Sequence, residues 1–188
     1  LCDRRQRQMC IRDSAYIEND TLAIAHVGDS RAYLLHEGTL IRVTRDHSYV
    51  EELVDAGEIT ADEARVHPNR SVITRALGSD PAMYADHFTL HIEEGDRLIL
   101  CSDGLSSMIP DSDIENIATQ SSTAQICVDN LVDAALAAGG HDNVTVVVVD
   151  LVDDGVMREA KRLRRRNVTI AAILALVFVP VSYTHLRA

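Results

Sequence analysis

The sequence predicts an α+β fold, on three observations. Apolar runs of β-compatible residues come in groups joined by short turns, as at 21–44. Two helical patterns follow one another between 112 and 138. A nearly continuous β-branched run, Val144–Val149, comes after them. Strands in antiparallel groups and helices in a pair imply helices layered on a sheet or sheets.

The elements follow in order. Thr21–Val27 is a short apolar run, too β-rich to favour helix. Arg31–Leu35 and Leu40–Thr44 come next, separated by His36-Glu37-Gly38, a hairpin turn. Asp46 is placed to cap a helix through Ala56, with Tyr49, Leu53 and Val54 on one face and Gly57 as its stop. Thr60-Ala61-Asp62-Glu63 matches a capping box for a second short helix, which Pro68-Asn69-Arg70 ends. Residues 57–79 form a polar, turn-rich excursion with a short insert, Val72–Leu77. Inside a compact domain such a stretch is often a functional flap.

Tyr84–Ile92 alternates loosely, with Phe88, Leu90 and Ile92 to one side. Glu94-Gly95-Asp96 then turns into the strand Arg97–Cys101. Ser112-Asp113-Ile114-Glu115 is another capping box, opening a helix to about Thr119. A last helix runs from Ser122 or Thr123 to Ala138, with Ala124, Cys127 or Val128, Leu131, Ala135 and Ala138 as its core stripe. Gly139-Gly140 ends it. Val144–Val149 reads as a strand covered on both faces.

A chain of 188 residues implies one main domain. Hydrophobic residues make up 46% of it but aromatics only 4%, with no Trp, so aliphatic side chains must fill the core. The formal charge of −11 is unevenly spread. Residues 14–155 carry 26 Asp or Glu against 7 Arg and no Lys, which gives −19. So acidic a body repels phosphate backbones and argues against nucleic-acid binding. The four cysteines show no CxxC and no spacing suited to zinc. Cys101 and Cys127 read as packed thiols, as in a reducing compartment.

Both ends differ in character from the body. Residues 1–14, LCDRRQRQMCIRDS, have no periodicity and no signal-peptide apolar core, and read as a non-native tail. Residues 181–188, VSYTHLRA, read the same way. Between them, 15–153 is the main domain and 154–167 a basic juxtamembrane segment containing REAKRLRRR. Residues 168–180 are almost purely apolar. A bilayer span needs about 20 residues, so this stretch is expected to be a truncated transmembrane helix. Arginines just before it mark the cytoplasmic side, which puts the main domain in the cytoplasm of a single-pass membrane protein.

Three acids stand out. Asp103 lies in Ser102-Asp103-Gly104, where the apolar run Leu98-Ile99-Leu100-Cys101 ends. Asp29 lies in Gly28-Asp29-Ser30-Arg31, and Asp142 in Gly140-His141-Asp142-Asn143. One Asp beside Gly or Asn is ordinary turn chemistry. Three of them, each at the edge of a strand-like run, bring carboxylates from distant parts of the chain to one rim of a sheet. Hard divalent cations such as Mg2+ and Mn2+ prefer such ligands.

These residues, taken together, resemble the metal-dependent protein Ser/Thr phosphatases of the PPM, or type 2C, family, in particular the bacterial membrane-anchored kind. The resemblance rests on Ala25-His26-Val27-Gly28-Asp29-Ser30-Arg31-Ala32-Tyr33, on Thr44-Arg45-Asp46-His47-Ser48, and on His67-Pro68-Asn69-Arg70-Ser71 through Arg75-Ala76-Leu77-Gly78. It continues through Gly95-Asp96, Leu100-Cys101-Ser102-Asp103-Gly104-Leu105 and His141-Asp142-Asn143-Val144-Thr145. Order and spacing agree across about 20–150.

The resemblance implies a four-layer α-β-β-α sandwich of antiparallel sheets, incomplete at its N-terminus. It implies two Mn2+ or Mg2+ ions, with a third, weaker one in bacterial members. The implied reaction is attack of metal-activated water on phosphoserine or phosphothreonine, and the implied partners are phosphorylated proteins, Ser/Thr kinases among them. Asp103 and Asp142 match core metal-site aspartates, and Asp29 matches an aspartate of the third site. Ser71, in the flap, is matched to that third site as well. Gly104 and Asn143 support the ligands, Asn143 by orienting its loop. Asp46 and His47 are expected to be structural, and His141 solvent-exposed.

The family's N-terminal third has no counterpart in this chain. That third carries the bridging aspartate with its Gly, the His that acts as general acid and the phosphate-binding Arg. The chain as it stands is therefore expected to be an inactive piece of an active enzyme. The competing reading is a catalytically inactive module that uses the fold to bind partners.

Overall fold

A computed structural model describes residues 12–152, apart from 79, 81 and 141. Seven strands form two antiparallel sheets. The first sheet has the order β1-β2-β5, with β1 at Arg12–Glu18, β2 at Thr21–Val27 and β5 at Asp86–His91. The second has the order β4-β3-β6-β7, with β3 at Arg31–His36, β4 at Thr39–Arg42, β6 at Arg97–Cys101 and β7 at Val146–Asp150.

Local chemistry accounts for the turns and registers. Glu37 and Gly38 both take positive φ, 48° and 80°, in the two-residue turn of the β3–β4 hairpin. Two positive φ values give the turn a twist that matches right-handed strands. In β5 alternate residues face inward, as the alternation over Tyr84–Ile92 predicts, and Ile24 lies opposite Phe88 across the β2–β5 ladder.

Two cores result. Leu22 and Ile24 of the first sheet meet Ala32, Leu34 and Leu98 of the second, with Ile92 at the edge. The other face of the second sheet carries Tyr33, Ile99 and Cys101, which pack beneath three helices. These are α3 at Asp103–Ser106, α4 at Asp111–Gln120 and α5 at Ala124–Ala137, and they supply Leu105, Ile114, Cys127, Leu131 and Ala135. Each fully buried Leu or Ile contributes roughly 1.5–3 kcal/mol. Cys101 and Cys127 are free, buried thiols, as expected, and burial pushes Cys101 up to about 12. Among the described residues there is one helical layer over one sheet.

Two short helices, α1 at Tyr49–Asp55 and α2 at Ala61–Val66, stand on the excursion between β4 and β5. The expected capping box of α2 is present, with Thr60 Oγ1 accepting from the Glu63 amide and Glu63 accepting from the Thr60 amide.

Four expectations require correction. Ser48, not Asp46, caps α1, accepting from the Glu51 amide, because Asp46 is already held by Arg31 and Arg42. The capping box at Ser112 does not form: α4 starts behind Pro110 without a side-chain cap. Its Glu115 carboxylate instead accepts the Leu40 amide of edge strand β4, which no further strand pairs. Val144–Val149 is not covered on both faces. It yields the edge strand β7, with Val146 and Val148 toward the helices but Val147 48% and Val149 36% exposed. Finally, β1 takes in residues 12–14, which the sequence assigns to a tail, and pairs along its whole length with β2.

Among the described residues no helix is long and apolar enough to cross a membrane. The apolar stretch 168–180 and the basic segment before it lie outside the described residues.

Candidate functional site

Asp29 follows β2 at a sharp corner, where Gly28 has φ 121°. The corner is held from both sides by His47. Its Nδ1 accepts the Gly28 amide at 3.1 Å, and its own amide donates to the Gly28 carbonyl at 2.7 Å. A nitrogen that accepts carries no proton, so the other ring nitrogen, Nε2, donates to Asp86 at 2.9 Å. Burial accordingly lowers the His47 pKa. The expectation that Asp46 and His47 are structural agrees with this geometry: Asp46 receives Arg31 through Nε and Nη2, and Arg42 through Nη2.

Asp103 stands in the first turn of α3, at the end of β6. Asp142 stands in the loop before β7, its Oδ1 accepting the Asn143 amide at 2.7 Å. Gly104 brings the two loops together. A Cβ there would lie 2.4 Å from the Asn143 carbonyl oxygen, so only glycine permits the approach. Ser102 clamps the same junction. Its hydroxyl donates to the Asn143 carbonyl at 3.1 Å and accepts the Thr145 amide at 3.0 Å, while its own amide donates to the Thr145 carbonyl. The recorded part of Asn143 in the site is thus its backbone.

One cavity of about 420 Å³ gathers the expected residues. Asp29, Asp103, Asp142 and Ser71 all line it. His141 lies outside the described residues. Asp29 is 8% exposed. Burial first, then the negative charges of Asp103 and Asp46, raise it to about 6. Asp103 is raised by burial and then by Asp142. Mutual repulsion of crowded carboxylates, of which Asp29 is buried and Asp103 half-buried, is the electrostatic state that a bound cation relieves.

As donors, three carboxylates and a hydroxyl suit a hard divalent ion. Among the described residues, however, no three acid, His or Cys side chains stand close enough together to enclose an ion by themselves. The acids share a cavity rather than a finished coordination sphere.

Several cavity residues escaped sequence reading. Arg31 and Arg42 join the wall with Asp111 and Glu51, as do Arg65 and Arg70 from the α2 side. Tyr33 donates its hydroxyl to Asp111 at 2.9 Å, beneath Arg31. Arg31, Tyr33 and Arg70 stood inside the matched segments of the sequence, but none was singled out as a site residue. Ser102 was legible only as the neighbour of Asp103.

The chain belongs to the protein phosphatase 2C family, whose model matches residues 4–144. It is 39% identical over 137 residues to the serine/threonine phosphatase stp of Listeria welshimeri, covering 73% of this chain and 54% of that protein. The crystal structure of the Mycobacterium tuberculosis serine/threonine phosphatase PstP/Ppp superposes with a TM-score of 0.71 at 40% identity, covering 76% of this chain and 60% of that one. A catalytic-domain structure of PstP in complex with two manganese ions gives 0.68 at 38% identity, covering 76% and 59%. The chain spans about half the length of the curated Listeria relative.

Proposed function

We propose that the whole protein hydrolyses phosphoserine and phosphothreonine in proteins, with Mn2+ or Mg2+ held at this cavity. The observation that carries the reading is the convergence of Asp29, Asp103 and Asp142 on one cavity, where burial and like charge raise Asp29 and Asp103. The family, and a solved relative holding two manganese ions, support the same metal chemistry.

Asp103 and Asp142 would hold the principal ions through carboxylate oxygens, and Asp29, with Ser71, an outer one. Bound ions of this type supply an activated water and neutralise charge on phosphoryl oxygens. The chain's own residues position the ligands. Gly104 and Ser102 fix the Asp103 and Asp142 loops to each other. His47 fixes the backbone that carries Asp29 and ties it to Asp86, which Arg75 also grips at 2.6 Å. Residues of α2 and Ser71 line the same cavity as the acids.

We further propose that the whole protein opposes Ser/Thr kinases at a cell membrane, anchored by 168–180 with the phosphatase domain in the cytoplasm. The support is the order of segments in the sequence: domain, basic run, apolar run.

The test is Mn2+-dependent phosphate release from a phosphothreonine peptide by the whole protein and its Asp103→Asn variant. The variant should lose at least roughly a hundredfold in turnover, as when a metal-held nucleophile is removed. Activity within tenfold of the parent at saturating Mn2+ would remove Asp103 from the site.

A further inference from the structure

Residues 14–155 hold 26 acids and only seven basic side chains, all arginines. In so acidic a body each guanidinium has many carboxylates to choose from. Five have chosen: Arg31 pairs with Asp46 and Asp111, Arg42 with Asp46 and Glu51, Arg45 with Asp55, Arg75 with Asp86, and Arg97 with Asp150. The other two are Arg65 and Arg70, and among the described residues neither has an ion-paired carboxylate. Both line the cavity that holds Asp29, Asp103 and Asp142.

Arg65 is the more telling of the pair. It lies in the last turn of α2 and donates Nη2 to the Met108 carbonyl at 3.3 Å, which anchors the head group without neutralising it. Its Nε–H is buried and has no hydrogen-bond partner among the described residues. A buried charged donor left unmade is costly, and an incoming acceptor recovers that cost.

We propose that Arg65, together with Arg70, forms an oxyanion subsite that binds a second acidic group of the phosphoprotein, flanking the phosphorylated residue. The inference rests on the phosphatase reading above. Its occupant is a carboxylate side chain or a second phosphate on the same peptide. The body's charge of −19 over 14–155 repels acidic peptides in general, so a preference for them requires local cations.

Binding tests this without turnover. Fluorescent peptides bearing a non-hydrolysable phosphonate analogue of phosphothreonine are titrated with the whole protein in Mn2+, by anisotropy. One has Gln neighbours, one Glu neighbours and one a second phosphonate; a fourth has Glu neighbours and plain threonine. The Glu or the second-phosphonate peptide should bind roughly tenfold more tightly than the Gln peptide, the size of a partly exposed charged hydrogen bond. Whichever is tighter identifies the occupant. Arg65→Gln should abolish the difference and Arg65→Lys should keep it, which separates charge from folding. A preference that survives Arg65→Gln overturns the subsite, as does an equal loss for all phosphonate peptides. If the Glu preference tracks Arg65 but the phosphonate adds nothing, the subsite stands and the phosphatase reading fails.

Discussion

At Asp29 the fold works against its own stability. The folded carboxyl is raised from 3.8 to about 6, chiefly by burial and then by Asp103. Between those values the folded state holds more protons than the unfolded one, so stability falls as pH rises through the interval and stays reduced above it. Asp29→Asn should therefore stabilise the metal-free chain at pH 7.5 by on the order of 3 kcal/mol. The gain should vanish near pH 3.5, where both states are protonated. Thermal melts in chelator check this, and equal midpoints at pH 7.5 would contradict it. Gly104 makes the opposite case, a residue selected for closeness. A Cβ there meets the Asn143 carbonyl at 2.4 Å, so Gly104→Ala should cost about 1–3 kcal/mol through overpacking. It should also weaken Mn2+ binding by parting Asp103 from Asp142, which calorimetry measures; unchanged affinity would mean that the two loops are independent.

At the scale of elements, the site depends on junctions more than on helices or strands. Ser102 joins the end of β6 to the loop before β7 with two hydrogen bonds from one hydroxyl. Ser102→Ala should lower the thermal midpoint by roughly 2–4 °C, as expected for a domain of this size losing about 1 kcal/mol. It should lower Mn2+ affinity about tenfold, the usual scale for residues that orient ligands. Loss of stability with intact affinity would make Ser102 purely structural. The elements themselves were largely legible. The spans of β2, β3, β6 and α5 follow from apolar periodicity, and α2 from its capping box. What failed was local chemistry overruled by distant partners. Asp46 has a capper's side chain but two arginines claim it, and Glu115 leaves its own helix for an unpaired edge amide.

At the scale of the molecule, sequence could not reveal which strands stand at edges. Val147 and Val149 look like core in any window, yet among the described residues β7 stands at a sheet edge and both stay exposed. Strand β1 is polar enough to escape notice, and only pairing with β2 defines it. The three acids were legible because each sits at a strand end among turn residues. The arginines around them were not, since nothing local separates Arg65 from a surface charge. The proposed function stands on one claim, that Asp29, Asp103 and Asp142 build a divalent-cation site in this cavity. Its most direct test is calorimetric titration of the whole protein with Mn2+ at pH 7.5, beside Asp103→Asn and Asp142→Asn. Saturable Mn2+ binding is expected in the parent, with a loss in each variant larger than the tenfold typical of merely orienting residues. Binding of equal strength in all three, or none in the parent, would contradict it.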